Sequence, residues 1–419
     1  ALTSNTVGAY NVAICQSALH NNVDGSNSVA IGRLALYTQD PATATDMYNV
    51  AVGYSAGQAV TTGTQNTLIG GLAGDALTTS NNNVAIGYQA LTTDTLGTKT
   101  VAIGVDALKN QNQTTNTDTY NVALGYYAGR DVTTGVENTL IGGLAGDALT
   151  DADFNTAVGQ GALSADTLGS KSTAIGQNAL SAQNFTTATD SFNTAVGFRA
   201  GFAVTTGTLN TIVGGLAGDA ITSAGGNTAV GYKSLSSETQ GKHSVAIGQQ
   251  ALGNQNTTSD TSIHNVAIGY QTGLSVTTGI YNTLIGGLAG DALTDADSNV
   301  AVGRASLSQD TLGSCSVAIG RNALTVQNFT TATDTFNVAV GDRAGSAVTT
   351  GTGNTLVGGL SGDALTTGHS NVAIGRNALS TEDTGRKNTA VGFAALELQN
   401  SDVDNLNTAV GFYAGGEVT

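Results

Sequence analysis

The chain has 419 residues, the length of two or three ordinary domains, yet Gly supplies 57 of them, Pro one, Trp none, and only 11% are charged. So little charge with so many small and β-branched residues excludes an ordinary globular enzyme and a disordered tail, which would carry more charge and more Pro. A net charge of −16 and a pI near 4.3 exclude nucleic acid as a partner by repulsion.

No apolar run of about 18 residues is present, so no membrane-spanning helix is expected and the segment is not membrane-embedded. No basic segment followed by an apolar one opens the chain, so any export signal has been removed or was never there. Two cysteines cannot make a disulfide framework.

From Asn11 onward one phrase recurs to the end: N-[TVS]-[AL]-[IVL]-G-x-x-[AS]-[LG]. It reads NVAVGYSAG at Asn49, NTLIGGLAG at Asn66, NVAIGYQAL at Asn83, NVALGYYAG at Asn121 and NTAVGFYAG at Asn407. There are 23 repeats, and their starts step in the order 17, 21, 17, 17, as from Asn11 through Ser28, Asn49 and Asn66 to Asn83. The quartet so formed begins at Asn11, Asn83, Asn155, Asn227, Asn299 and Asn371. Two nested periods leave no room for a linker, and residues 1–419 read as a single continuous domain. Because Ala1–Tyr10 holds a degenerate repeat and Thr419 falls inside another, the chain reads as a segment of a longer fibre.

Within each repeat, N-V-A-I-G alternates with period two, which predicts a short strand. Gly at the fifth position, as in Gly53, Gly87 and Gly125, supplies a corner. The glycines break every helical periodicity, so the fold class is all-β: a parallel β-solenoid of about 23 coils in 17/21-residue repeats. At about 4.8 Å per coil the rod would be roughly 110 Å long. The asparagines that open the repeats are expected to stack into a hydrogen-bonded ladder.

The expected core of a coil is the set Ala85, Ile86, Ala90 and Leu91. That set is thin, and both strand faces carry apolar or small residues, so one face should meet a partner chain and the expected assembly is a homotrimer.

The phrases NSVAIG (Asn27 to Gly32), HSVAIG (His243 to Gly248) and CSVAIG (Cys315 to Gly320) resemble the head repeat of YadA-type trimeric autotransporter adhesins. The NTAVG style is also similar to repeat regions of phage and bacterial tail-fibre-like proteins that end in a self-cleaving chaperone. The resemblance implies a left-handed parallel β-roll in a trimer, with a role in surface attachment. The spacing is longer than that of the usual head repeat, and no stalk, anchor or chaperone domain is seen, so the resemblance leaves both groups open.

Gly53-Tyr54-Ser55-Ala56-Gly57 matches the G-x-S-x-G nucleophile elbow, but the equivalent repeat reads Gly125-Tyr126-Tyr127-Ala128-Gly129, so Ser55 is read as a variable exposed position. Gly70 to Asp75 (GGLAGD) lacks the Lys of a phosphate loop and reads as a corner. No catalytic residue and no cofactor are assigned. Asp151 with Asp153, and Asp295 with Asp297, are candidate Ca²⁺ ligands, with a solvated acidic turn as the simpler reading. His20, His243, His264 and His369 lack metal-ligand spacing, and Cys15 and Cys315 are incidental small residues.

The four-residue insertions are the most informative feature. The segments Tyr37–Tyr48, Lys109–Tyr120, Ser181–Phe192, Gly253–His264 and Thr325–Phe336 each close on Tyr48, Tyr120, Phe192, His264 or Phe336. They should project every four coils, about 19 Å apart, either as multivalent contact loops or as longer turns whose aromatic caps the coil below. Asn184-Phe185-Thr186 and Asn328-Phe329-Thr330 are glycosylation sequons within them.

The function expected is a structural and adhesive fibre shaft, extracellular, on a cell surface or a virion. Its partner would be a surface receptor or glycan. The rivals are an ice-binding solenoid, which needs flat ranks of Thr, and a carbohydrate-cleaving solenoid, which needs paired carboxylates in a cleft. Thr pairs before a turn glycine, such as Thr61-Thr62 and Thr133-Thr134, occur in one coil of four.

Overall fold

The computed structural model describes residues 1–418, which fall into two compact units, Ala1–Leu209 and Asn210 onward. The described residues contain strands, turns and bends and no helix. The first unit stacks eleven three-residue strands and the second twelve, so the chain winds through 23 coils of a parallel β-solenoid.

Neighbouring coils pair in strict register. Val50, Ala51 and Val52 lie against Thr67, Leu68 and Ile69, which lie against Val84, Ala85 and Ile86. In the second unit Val245, Ala246 and Ile247 lie against Val266, Ala267 and Ile268. Like residues stack on like, because a slip by one residue would turn the inward side chain out and the outward pair into the core.

The alternation holds, but its polarity differs from the expected core. Ala85, Ala90 and Leu91 are fully buried, whereas Ile86 points outward and is partly exposed. The inward place two residues before Ala85 belongs to Asn83, also fully buried. Its side-chain oxygen accepts the backbone N–H of Thr100 at 2.9 Å, and its amide donates across the coil to the Gly97 carbonyl at 3.0 Å. The expected ladder is present in this form along most of the chain: the opening Asn reaches the main chain of the next coil and of its own, though Asn388 leaves its Nδ2 unpaired and Asn407 sends its own to the Gln399 side chain. Asn66 and Asn83 are linked the same way, at 3.0 Å. A buried amide must be paired, and this geometry pairs it at both ends.

Two devices shape the coil. The corner glycine holds φ near +138° at Gly87, and a Cβ there would stand 2.3 Å from the Gly104 carbonyl oxygen of the next coil. Coils stack too closely at this corner for any side chain. The ninth position, Leu in some repeats and Gly in others, is set by the neighbour. Leu68 fills the core where other repeats carry Ala, and a Cβ on Gly57 or Gly74 would come within 2.7 Å of its methyl groups. Leu at the third position therefore requires Gly at the ninth in its own coil and the one before, which explains why NTLIGGLAG follows NVAVGYSAG.

Candidate functional site

The insertions are more ordered than projecting loops. Gly97–Thr98 pairs in parallel with Thr117–Asp118, and Gly169–Ser170 with Thr189–Asp190, so the second half of each insertion lies back on the preceding coil. Only a three-residue tip stands fully clear: 114–116, 186–188 and 258–260 are exposed throughout. Phe185 and Phe329 turn inward and are buried.

Each insertion is anchored by a polar cluster that sequence reasoning missed. Asp94, fully buried, accepts the backbone N–H of Gly97 at 3.0 Å and of Gln113 at 3.2 Å, and the side-chain amide of Gln111 at 2.6 Å. Gln111 in turn donates to Thr100 at 3.1 Å and accepts from Asn121 at 2.9 Å. Asp166 with Gln183, Asp310 with Gln327 and Glu238 with Gln255 repeat the arrangement. A carboxylate whose oxygens all receive donors can be buried without an opposing cation. The signal was legible: an acid shortly before a Gly, answered by a Gln at the same place in the following coil, once in every four coils.

The closing aromatics stand in one column in each unit, at the last position of the coil. Tyr120 is 51% exposed and Phe336 63%. Both keep half or more of their surface in solvent. Lys99 of the preceding coil lies 5.0 Å from the Tyr120 ring centre, bonds Asp118 at 2.6 Å and reaches the Tyr120 hydroxyl at 3.0 Å. Asp118 and Tyr120 push the Lys99 ammonium up to about 12, and Lys99, with Thr98, holds the Asp118 carboxyl below the usual range. Lys171 sits over Phe192 in the same way, at 5.3 Å. In the second unit the column is imidazole on imidazole: His243 stacks on His264 at 5.2 Å, and His264 on Tyr281 at 5.7 Å. The histidines lie one long coil apart, which brings them together though their spacing fits no metal motif.

The remaining candidates resolve as stapling or corner residues. Asp151 accepts the Thr134 hydroxyl and Asp295 that of Thr278, while Asp153 and Asp297 accept the backbone N–H of Val136 and Ile280. Among the described residues, no three of His, Cys, Asp or Glu converge on a point where a cation could sit. Asp75, Asp147, Asp291 and Asp363, the corner aspartates, are pushed above the usual carboxylate range by partial burial.

Ser55 was expected to be exposed and is not. The exposed residue is Tyr54, whereas Ser55 is buried with its hydroxyl unpaired. A nucleophile needs a base, and none bonds this hydroxyl. Cys315 leans on Asp334 at 3.8 Å, and burial and that carboxylate push its thiol up.

Threonine is more regular than the pairs suggested. Thr61, Thr78 and Thr95 form a column closed by Asn112, so three coils of four carry Thr. Their hydroxyls donate to carbonyls of the following coil, as Thr78 does to Thr95 at 3.0 Å. Donors tied to the main chain in this way do not form the free rank that ice binding needs.

The outward strand face is different in kind. All 23 coils place Val or Thr at the second position and Ile, Val or Leu at the fourth, with no polar residue but Thr and no charge. Ile247 and Ile319 are 36% and 37% exposed.

The fold is that of a repeat protein, a parallel β-solenoid whose coils carry an exposed apolar strand and a column of aromatic turns. Two of its segments, residues 168–189 and 228–251, match the family model of the YadA head domain repeat. The family that this model describes is one of adhesins. No curated protein matches the chain. No helix of the described residues is long and apolar enough to cross a membrane.

Proposed function

We propose that the chain is the adhesive shaft of a cell-surface fibre, three copies packed along their outward strand faces, with the aromatic columns and insertion tips making contact with a receptor or glycan. The observation that carries this reading is the unbroken outward face of Val, Thr, Ile and, at one coil, Leu. In each unit it forms an apolar strip too regular to be chance exposure. A copy of the same chain carries the same face at the same spacing and can match it coil for coil.

The YadA head repeats support a cell-surface placement over a virion one, since YadA-like adhesins are trimeric surface proteins. The contact residues on this reading are Tyr48, Tyr120, Phe192, His264 and Phe336. Each presents an aromatic face beside polar groups, the chemistry that stacks on sugars or packs on protein surfaces. Repetition makes individually weak contacts add up.

Mass measurement by light scattering tests the assembly. A particle near three times 41.6 kDa is expected, and a stable 41.6 kDa monomer at micromolar concentration would overturn the trimer.

A further inference from the structure

The Thr column ends, once in every four coils, on an asparagine whose setting differs from that of every asparagine that opens a coil. These residues are Asn112, Asn184, Asn256 and Asn328, each followed two residues later by Thr114, Thr186, Thr258 or Thr330. They are the only N-x-[ST] sequences with non-Pro x in the chain. In each the middle residue is buried, so the Asn and the Thr both face outward. Asn184, Asn256 and Asn328 are exposed and Asn112 half-exposed.

The carboxamides are held in one orientation. The oxygen accepts a Thr hydroxyl from the preceding coil: Thr95 to Asn112 at 3.0 Å, Thr167 to Asn184 at 3.2 Å, Thr239 to Asn256 at 3.0 Å and Thr311 to Asn328 at 3.1 Å. None of the four Nδ2 atoms bonds to another described residue, so the amide nitrogen is turned to solvent. Most coil-opening asparagines do the opposite, sending Nδ2 inward to a main-chain carbonyl, as Asn155 does to Gly169 at 2.9 Å. An acceptor for the Thr hydroxyl alone would not select Asn over Asp. The first long coil has Asp40-Pro41-Ala42 at this place, where no sequon survives.

We propose that these four asparagines are N-glycan attachment sites, presented by the fold to a sequon-recognising glycosyltransferase. Nδ2 attacks C1 of a sugar carried on a diphosphate. The N–C1 bond forms as the bond from C1 to the diphosphate oxygen breaks, and the Nδ2 proton passes to a base of the transferase. The sugars would line the coils beside the insertion tips, repeating every four coils in each unit. The inference stands apart from the adhesive reading and survives its failure.

The folded chain is incubated with sequon-specific transferases, one using a nucleotide sugar and one a polyprenyl-diphosphate oligosaccharide, and read by intact mass and peptide mapping. Additions are expected at these four asparagines and at no other. Asn184→Asp keeps the acceptor for Thr167, and so the fold, and should lose one addition. Thr95→Val frees the Asn112 carboxamide to rotate and should slow modification there several-fold, leaving the other three unchanged. A folded chain that stays unmodified while the heat-denatured chain is modified overturns presentation by the fold. No modification of either form overturns the sites themselves.

Discussion

The side-chain amide of Gln111 donates to Asp94 at 2.6 Å across the step between two coils, and neither residue has any exposed surface. The acid collects three donors from two coils and fixes the path of the chain into the insertion. Removing it would leave all three donors unpaired in the interior.

Asp94→Ala is therefore expected to cost about 3 kcal/mol, the scale of breaking a buried charged hydrogen-bond cluster. Asp94→Asn should cost less, since Asn22 stands at the equivalent place in the first repeat and bonds both Gln39 and the Gly25 carbonyl. Denaturant unfolding of the two variants, with hydrogen exchange over residues 94–121, checks both the size and the location of the loss. Loss spread evenly over the unit would contradict a local anchor.

Corner glycines and the pseudo-elbow serine make opposite predictions. Gly87 and Gly159 hold φ of +138° and +131°, and a Cβ at either would lie within 2.6 Å of the next coil's main chain. Gly87→Val and Gly159→Val should each destabilise by about 3 kcal/mol or more, through backbone strain and collision together. Ser55→Ala deletes a buried hydroxyl that has no partner and should be neutral or slightly stabilising. Thermal melts of the three variants suffice, and equal melting temperatures would refute the corner assignment.

What the sequence disclosed and what it hid follow one physical line. The period shows directly which residues stack on which, so the strands, the Gly53 and Gly87 corners and the aromatic column were legible. Alternation says which residues share a face, not which face turns inward, and both faces here are apolar. The choice is made by Asn83, which must bury its amide to pair it, and by the fit of Leu68 against Gly57 and Gly74. Hence Ile86 was assigned to the wrong side. Asp94 looks like any aspartate in a polar turn until Gln111 is placed on it, and His243 meets His264 only once the long coil is counted as one step.

Acid should stabilise part of the fold and loosen another. Burial raises Asp75, Asp147, Asp291 and Asp363, so their favourable contribution is full below the unfolded value, near pH 4, and is lost as pH rises through the raised one. At neutral pH they are ionised at a cost, and replacing all four with Asn should raise the melting temperature at pH 7 but not at pH 3.5. Asp118, Asp342 and Asp404 behave oppositely: their pairs with Lys99, Arg321 and Lys387 lower them, and that contribution is lost as pH falls through the lowered value. These pairs are exposed, so salt should erase their part. Melts at two pH values with and without 0.5 M salt separate the groups, and an Asn variant no more stable at pH 7 would refute the burial argument.

A charge on the outward strand face should dissolve the assembly without unfolding the coil. Ile247 and Ile319 are already more than a third exposed in the single chain, so Ile247→Asp and Ile319→Asp place a carboxylate where water can reach it. In a trimer the same carboxylates would be buried against apolar neighbours. The expected outcome is an unchanged circular-dichroism spectrum with the mass falling to 41.6 kDa. A mass that does not change would place the partner surface elsewhere.

The last prediction separates adhesion from architecture. Because Gly169–Ser170 pairs with Thr189–Asp190, and Gly313–Ser314 with Thr333–Asp334, deleting only the tips 186–188 and 330–332 joins each chain where the shorter coils already turn. Gln183 and Gln327 stay on Asp166 and Asp310, so the anchors survive. The solenoid should fold with its β-signal intact and lose at most about 1 kcal/mol, as surface changes do away from buried features. Phe192→Ala and Phe336→Ala, made separately, remove the aromatic faces and leave the tips and the sequons in place. If tips and aromatics carry contact, either pair of changes should lower attachment to cells or glycan-coated surfaces by more than the fraction of sites removed, since linked weak sites lose avidity steeply and a trimer loses three at each deletion. Tip deletion alone lowering attachment would assign contact to the tips and not to sugars, since Thr189 and Thr333 then follow Phe185 and Phe329 and keep both sequons. Unchanged attachment in every variant would make the insertions spacers and move adhesion to another surface of the coils.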